Sequence, residues 1–311
     1  MYFLFARFAN NQLPTKFKYY TTALLLLLLS QAALAQPDAT SPTEKKEHLK
    51  SEYFTLRYKP QVGTTLYDIE TVVTHHLENG KVFPVYSRTQ IAYENIAVDL
   101  RKNRWTFDRY FTKFTTFDRD STIKEIGSIN KTTRMTYSMI GEEIAKRVVD
   151  TVQLSEDAQF LFYFFKAPKI LLPLPEQRVL YGATWEDSRQ DTVRVPGGTF
   201  YYDVKYHYKF DGVLDTLGGT AAVITSRQEG IFYGEQQRPG EQALHFDGPI
   251  SGVDTTYLDL LTGRVASRIT GVRIPVNVTA SHGKPSTDAL EVRSTIFLNK
   301  SNMKVTHVHE D

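Results

Sequence analysis

Cysteine is absent from all 311 residues, which excludes a disulfide framework and also acylation at a mature N-terminal Cys. Stability must therefore come from a packed core. Neither sign of charge is in excess. With 37 Lys and Arg against 35 Asp and Glu, bulk electrostatics points to neither nucleic acid nor a polyanionic partner. Long apolar runs are missing beyond the N-terminus. The most apolar later window, "FLFYFFKAPKILLPLP", is interrupted by Lys166, Pro168, Lys169 and Pro173, so no membrane-spanning helix is expected after signal cleavage. Signatures of hydrolytic and phosphate chemistry are lacking too: there is no G-x-S-x-G, no H-E-x-x-H and no Gly-rich phosphate loop.

What is present begins with a targeting signal. Arg7, Lys16 and Lys18 precede the apolar run "ALLLLLLSQAALA", and Ala33, Leu34 and Ala35 form an A-x-A cleavage site. Residues 1–35 read as a signal peptide, which implies export to the periplasm or outer envelope of a Gram-negative-type bacterium, or secretion. Residues 36–51 are polar and aperiodic, a flexible leader. Residues 52–302 form a single β-rich domain with halves at about 52–155 and 176–302, and 303–311 are a flexible tail.

The chain is aromatic-rich, at 13%, through 19 Phe and 18 Tyr but only 2 Trp. Tyr commonly alternates with Thr, Val or Ile, which is strand chemistry. Phe54, Leu56 and Tyr58 share one parity, as do Tyr67, Ile69, Val73 and Leu77, so two antiparallel strands are expected there. Asn79-Gly80 marks a tight turn, and Thr262-Gly263 another. Two segments admit both periods. Trp105, Phe107 and Arg109 fit a strand, the favoured reading, although Phe107, Tyr110, Phe111 and Phe114 also suit one helical face. Residues 135–152 fit a hairpin turning at Gly141-Glu142, with a helix from Gly141 as the rival.

Ser155, followed by Glu156 and Asp157, has the chemistry of an N-cap, and Pro168 would stop the run, so one short helix is expected at about 156–166. Pro173 and Pro175 then forbid a continuous ladder, Gly182 permits a tight entry, and Trp185 opens a more regular second half. No strand alternates with a long helix as a βαβ layout requires. The expected fold is mainly β, a strongly curved antiparallel sheet, half-barrel or open barrel, with one short helix packed on it.

The run "LPLPEQRVLYGATWEDS", then "FYYDVKYHYKFDG", "TAAVITSRQEGIFYG" and "TYLDLLTGRVASR", resembles the C-terminal half of an uncharacterised family of exported bacterial β-rich proteins. Gly182, Trp185, Tyr257, Asp259 and Gly263 occupy the matching positions. That family looks related in shape to the LolA/LolB-type lipoprotein carriers, a curved half-barrel covered by helices. The resemblance implies a concave apolar face able to take an acyl chain or another hydrophobic ligand. It carries over no catalytic residue.

Direct signs of chemistry are few. His75 and His76 are adjacent in a strand, so they point to opposite faces, cannot jointly ligate a metal, and are expected at the surface or an edge. His307 and His309 with Glu310 and Asp311 read as a frayed terminus rather than a metal site. Asp203, Lys205, His207 and Lys209 share a solvated parity opposite Tyr202, Val204, Tyr206, Tyr208 and Phe210. Glu186 with Asp187, and Glu142 with Glu143, are sequence neighbours rather than facing carboxyls. The aromatics remain: the Phe-rich run exceeds what one helical stripe can hide. Phe160, Phe162, Phe164, Tyr181 and Trp185 are the candidate lining of a pocket.

The expected function is non-catalytic binding of an apolar or lipid-like ligand, or of an envelope component, without metal or cofactor. A structural protein pairing with a partner through exposed strands is the alternative, and a polysaccharide-acting enzyme the third.

Overall fold

The alternation of inward apolar and outward polar residues sets the architecture. The computed structural model describes residues 52–117, 123–126, 132–149, 170–195, 197–216, 219–237, 242–280 and 286–299. They form twelve strands: β1 (Gly63–His76), β2 (Val82–Asp99), β3 (Arg104–Phe117), β4 (Ile123–Ile126), β5 (Thr133–Ser138), β6 (Glu143–Val148), β7 (Thr184–Val195), β8 (Gly198–Thr216), β9 (Gly219–Gln236), β10 (Leu244–Asp259), β11 (Arg264–Ala280) and β12 (Ser286–Asn299). All pairings are antiparallel, in the order β6-β5-β3-β2-β1-β12-β11-β10-β9-β8-β7, with β4 beside β3 off this path.

The first and last strands meet at the centre of the row, so the chain builds two arms outward from the β1–β12 pair. The sheet is open, because among the described residues β6 pairs only with β5 and β7 only with β8. Eleven strands laid flat would span about 48 Å. Yet Leu174 N–H donates to Ile140 O, beside β6, while Trp185 Nε1 on β7 donates to Pro173 O at 2.8 Å. Two adjacent residues thus reach both edges, and at this end the sheet must curl until its edges nearly meet.

A cap holds this end. Residues 53–59, expected as a strand pairing with β1, instead run across the turns: Tyr58 N–H donates to Met139 O, Lys59 N–H to Gly263 O, and Phe54 bridges to Val179. The Tyr58 hydroxyl accepts from Leu172 N–H at 2.9 Å and donates to Leu172 O at 3.0 Å. Arg57 reaches the carbonyls of Pro175 and Glu176. Leu56, Tyr58, Ile170, Leu171, Leu172 and Leu174 are consequently buried. Alternation in 53–59 is real, but its apolar parity packs beneath the sheet's end rather than within a ladder.

Other expectations meet the structure directly. The Asn79-Gly80 turn forms with Gly80 at φ 77°, Gly263 turns at φ 60°, and 104–117 is strand. Residues 133–148 are a hairpin, with Gly141 at φ 85° where a Cβ would strike Leu172 O. The helix expected at 156–166, the signal, the leader and the tail lie outside the described residues. Among the described residues there is no helix.

Candidate functional site: the concave face

Side chains facing inward line up in rows, because cross-strand partners in an antiparallel ladder share a face. One row crosses eight strands: Trp185, Tyr208, Ser226, Asp254, Thr270, Ser294, Thr71 and Ser87. Its last six members are polar and buried, one from each of β9, β10, β11, β12, β1 and β2. At sheet spacing this belt is about 24 Å long. On its capped side runs Phe210, Ile224, Thr256, Arg268, Ile296, Ile69 and Thr89; on the other side Tyr206, Gln228, Gly252, Val272, Val292, Val73 and Val85.

Two ion pairs flank the tyrosines. Arg268 Nη2 donates to Asp254 Oδ2 at 3.0 Å, and Ser226 Oγ donates to the same oxygen at 2.8 Å. Both charged side chains are under a tenth exposed. Arg189 Nε donates to Asp187 Oδ2 at 2.6 Å, and its guanidinium lies 5.4 Å from the Tyr206 ring centre. Burial works against both guanidiniums, but the adjoining carboxylates and tyrosines outweigh it, and both pKa values move up. Burial also raises Tyr206 and Tyr208, and pushes Tyr202 up to about 12, so all three remain neutral hydrogen-bonding groups near neutral pH.

Three belt atoms are left over. Ser87 Oγ, Asp254 Oδ1 and Thr270 Oγ1 are buried without a hydrogen-bond partner among the described residues. Elsewhere in the belt Thr71 and Ser294 satisfy one another at 3.0 Å. A buried polar atom left unpaired costs about 1–3 kcal/mol, so three in one row are a feature to be accounted for.

Of the candidate residues, Trp185 stands in the belt row, its ring 5.5 Å from Tyr208 and stacked at 16°. Tyr181 is half-exposed and covers Gly212. Phe160, Phe162 and Phe164 lie outside the described residues. His75 corrects an expectation: it is buried rather than at the surface, with Nε2 3.1 Å from Asp288 Oδ2, because it falls on the inward parity of a central strand. His76 points outward, and Lys205 and Lys209 are exposed, as the alternation requires. Among the described residues no group of three or more His, Cys, Asp or Glu could hold a metal ion.

Asp254 and Arg268 were missed, although a signal existed. Asp254 shares parity with Ile250 and Leu258, and Arg268 with Val272, Ile274 and Val276. Opposite charges on the apolar parity of neighbouring strands mark a buried pair.

No family model matches the chain, and no curated protein does. Among solved structures, a protein with a YmcC-like fold from Bacteroides fragilis is 10% identical, with 78% of this chain and 97% of that one covered at a TM-score of 0.26. A Rh. blastica porin mutant is 9% identical, with 76% and 100% covered at 0.23. The outer membrane protein opdK from Pseudomonas aeruginosa is 6% identical, with 76% and 99% covered at 0.24. Scores this low transfer neither fold nor function to this chain. The described sheet carries no helical cover of the lipoprotein-carrier kind.

Proposed function

We propose that this chain binds an amphipathic, lipid-like ligand against the concave face. The observation that carries the reading is the buried belt with Ser87 Oγ, Asp254 Oδ1 and Thr270 Oγ1 unpartnered. A ligand bearing hydroxyl or amine groups would satisfy these atoms, while Val272, Val292, Val73 and Val85 offer its apolar body a surface one row away. The outward face supports a role in solution rather than as a lipid-embedded barrel. It presents Lys205, Lys209, Arg227, Glu229, Arg273 and Arg293 where a spanning barrel needs an apolar band.

The test is native mass spectrometry of the purified mature protein, with displacement of a fluorescent fatty-alcohol probe. Thr270→Val should weaken probe binding about tenfold while leaving the free protein as stable or more so, since it removes an unpaired buried hydroxyl. No retained molecule and no probe binding would overturn the reading. That result would turn attention to partner binding along β6, all six of whose residues are exposed.

A further inference from the structure

The outward face of β9 to β12 carries a hollow of about 710 Å³ that is separate from the concave belt. That volume falls within the range of small-molecule sites, roughly 300–1,000 Å³. Its origin is a difference in side-chain length. Ser251, Val253 and Gly271 make a low floor, and Gly271 has nothing within 4 Å of where a Cβ would stand. Arg227 and Glu229 rise on one side of it, Arg273 and Glu291 on the other.

The charges on these walls are not equivalent. Glu229 is engaged by His207 Nε2 at 3.2 Å. Glu291 accepts from Arg293 Nε at 2.8 Å and lies 3.6 Å from His76 Nε2. Arg273 stands directly across from Glu291 in the ladder, yet neither it nor Arg227 forms an ion pair with a described residue. The carboxylates of the hollow thus have side-chain partners at its margin, His207 for Glu229 and Arg293 for Glu291, whereas its two wall arginines are in no ion pair with a described residue.

From these residues we propose that the hollow binds a small organic dianion, one acidic group held by Arg227 and the other by Arg273. The register sets the span. Arg227 pairs with Val253, Val253 pairs with Gly271, and Arg273 lies two residues further along β11, so the two Cα atoms are about 12 Å apart. Guanidiniums reaching inward from both walls suit two carboxylates joined by a short linker, and each can hold its carboxylate in a bidentate fork. Ser251 Oγ between them is available to a hydroxyl on that linker.

Isothermal titration calorimetry at low ionic strength, with linear dicarboxylates from succinate to suberate and butyrate as the single-charge control, tests the site. One dicarboxylate length should bind at least tenfold tighter than butyrate, and the preference should fade with added salt. Arg227→Gln and Arg273→Gln should each bring the dicarboxylate down to the butyrate level. Gly271→Leu should abolish binding by filling the floor, with an unchanged circular dichroism spectrum showing that the sheet remains. Equal affinity for one and two charges, no binding of any dicarboxylate, or binding indifferent to both arginine variants would overturn the proposal. Pyrophosphate run alongside distinguishes the source of the charge: binding it more tightly than every dicarboxylate would overturn the assignment to an organic dianion.

Discussion

The arm that runs from β1 through β2, β3 and β5 fills its concave face with rings. The arm that runs from β12 to β7 leaves part of it to glycine. In the first, Tyr67, Tyr93, Phe107, Trp105 and Tyr137 form a continuous chain, with ring centres 4.8 to 5.6 Å apart. In the second, Gly230, Gly234, Gly248 and Gly252 stand at inward positions, and a Cβ on any of them would run into a neighbouring strand's backbone. Ring packing fixes a sheet by filling space, whereas inward glycines allow strands to coil tightly and leave room for buried charge. The buried Arg268–Asp254 pair lies in the glycine-bearing arm.

The largest effect should come from removing a ring. Phe107 is fully buried and touches three other rings, so Phe107→Ala should cost about 3–5 kcal/mol in urea unfolding. A cost under about 1 kcal/mol would show that the ring-filled arm is not close-packed. The charged arm should respond differently. Arg268→Met alone strands the Asp254 carboxylate and should cost about 3 kcal/mol, whereas adding Asp254→Val should recover most of that loss. A double variant no better than the single one would mean that the pair supports structure beyond its own charges.

Glycine itself provides the next contrast. Gly248→Ala forces a Cβ into the Pro275 carbonyl and should cost about 1–3 kcal/mol. Gly271, on the outward face of the adjacent strand, has open space at the same place. Gly271→Ala should be neutral within about 0.5 kcal/mol. Equal melting temperatures for the two variants would remove the argument that inward glycine sets the curvature.

Much of this was legible in the alternation of single strands, and little of it in their alignment. The parity of 201–210, the turns at Gly80 and Gly263 and the hairpin at Gly141 follow from local chemistry. Residues 53–59 alternate equally well, yet their partners are turns more than 75 residues away, so the local pattern gave the wrong element. The belt shows the same limit. Thr71, Ser87, Ser226, Thr270 and Ser294 are ordinary strand residues one at a time, and only the register of six strands brings them into a row. Trp185 was singled out for the Leu-Pro joint that precedes it, and its place opposite Tyr208 depends on a hairpin register that the joint does not specify.

A modest, pH-dependent effect probes the seam where the two arms join. His75 on β1 and Asp288 on β12 are both buried there, and Asp288 Oδ1 also accepts from Glu78 N–H. Burial lowers the His75 pKa below its ordinary 6.5, more than the neighbouring Asp288 carboxylate raises it, and His76 adds a smaller lowering. The unfolded chain therefore binds this proton more readily than the folded one. Stability is complete above about pH 6.5 and declines as pH falls from there toward the lowered folded-state value, by no more than about 1.4 kcal/mol per pH unit. Urea midpoints at pH 7.5 and 5.5 should differ accordingly, and His75→Gln should flatten that difference. A slope that survives the substitution would assign the acid sensitivity to other groups and leave the β1–β12 seam indifferent to the charge on His75.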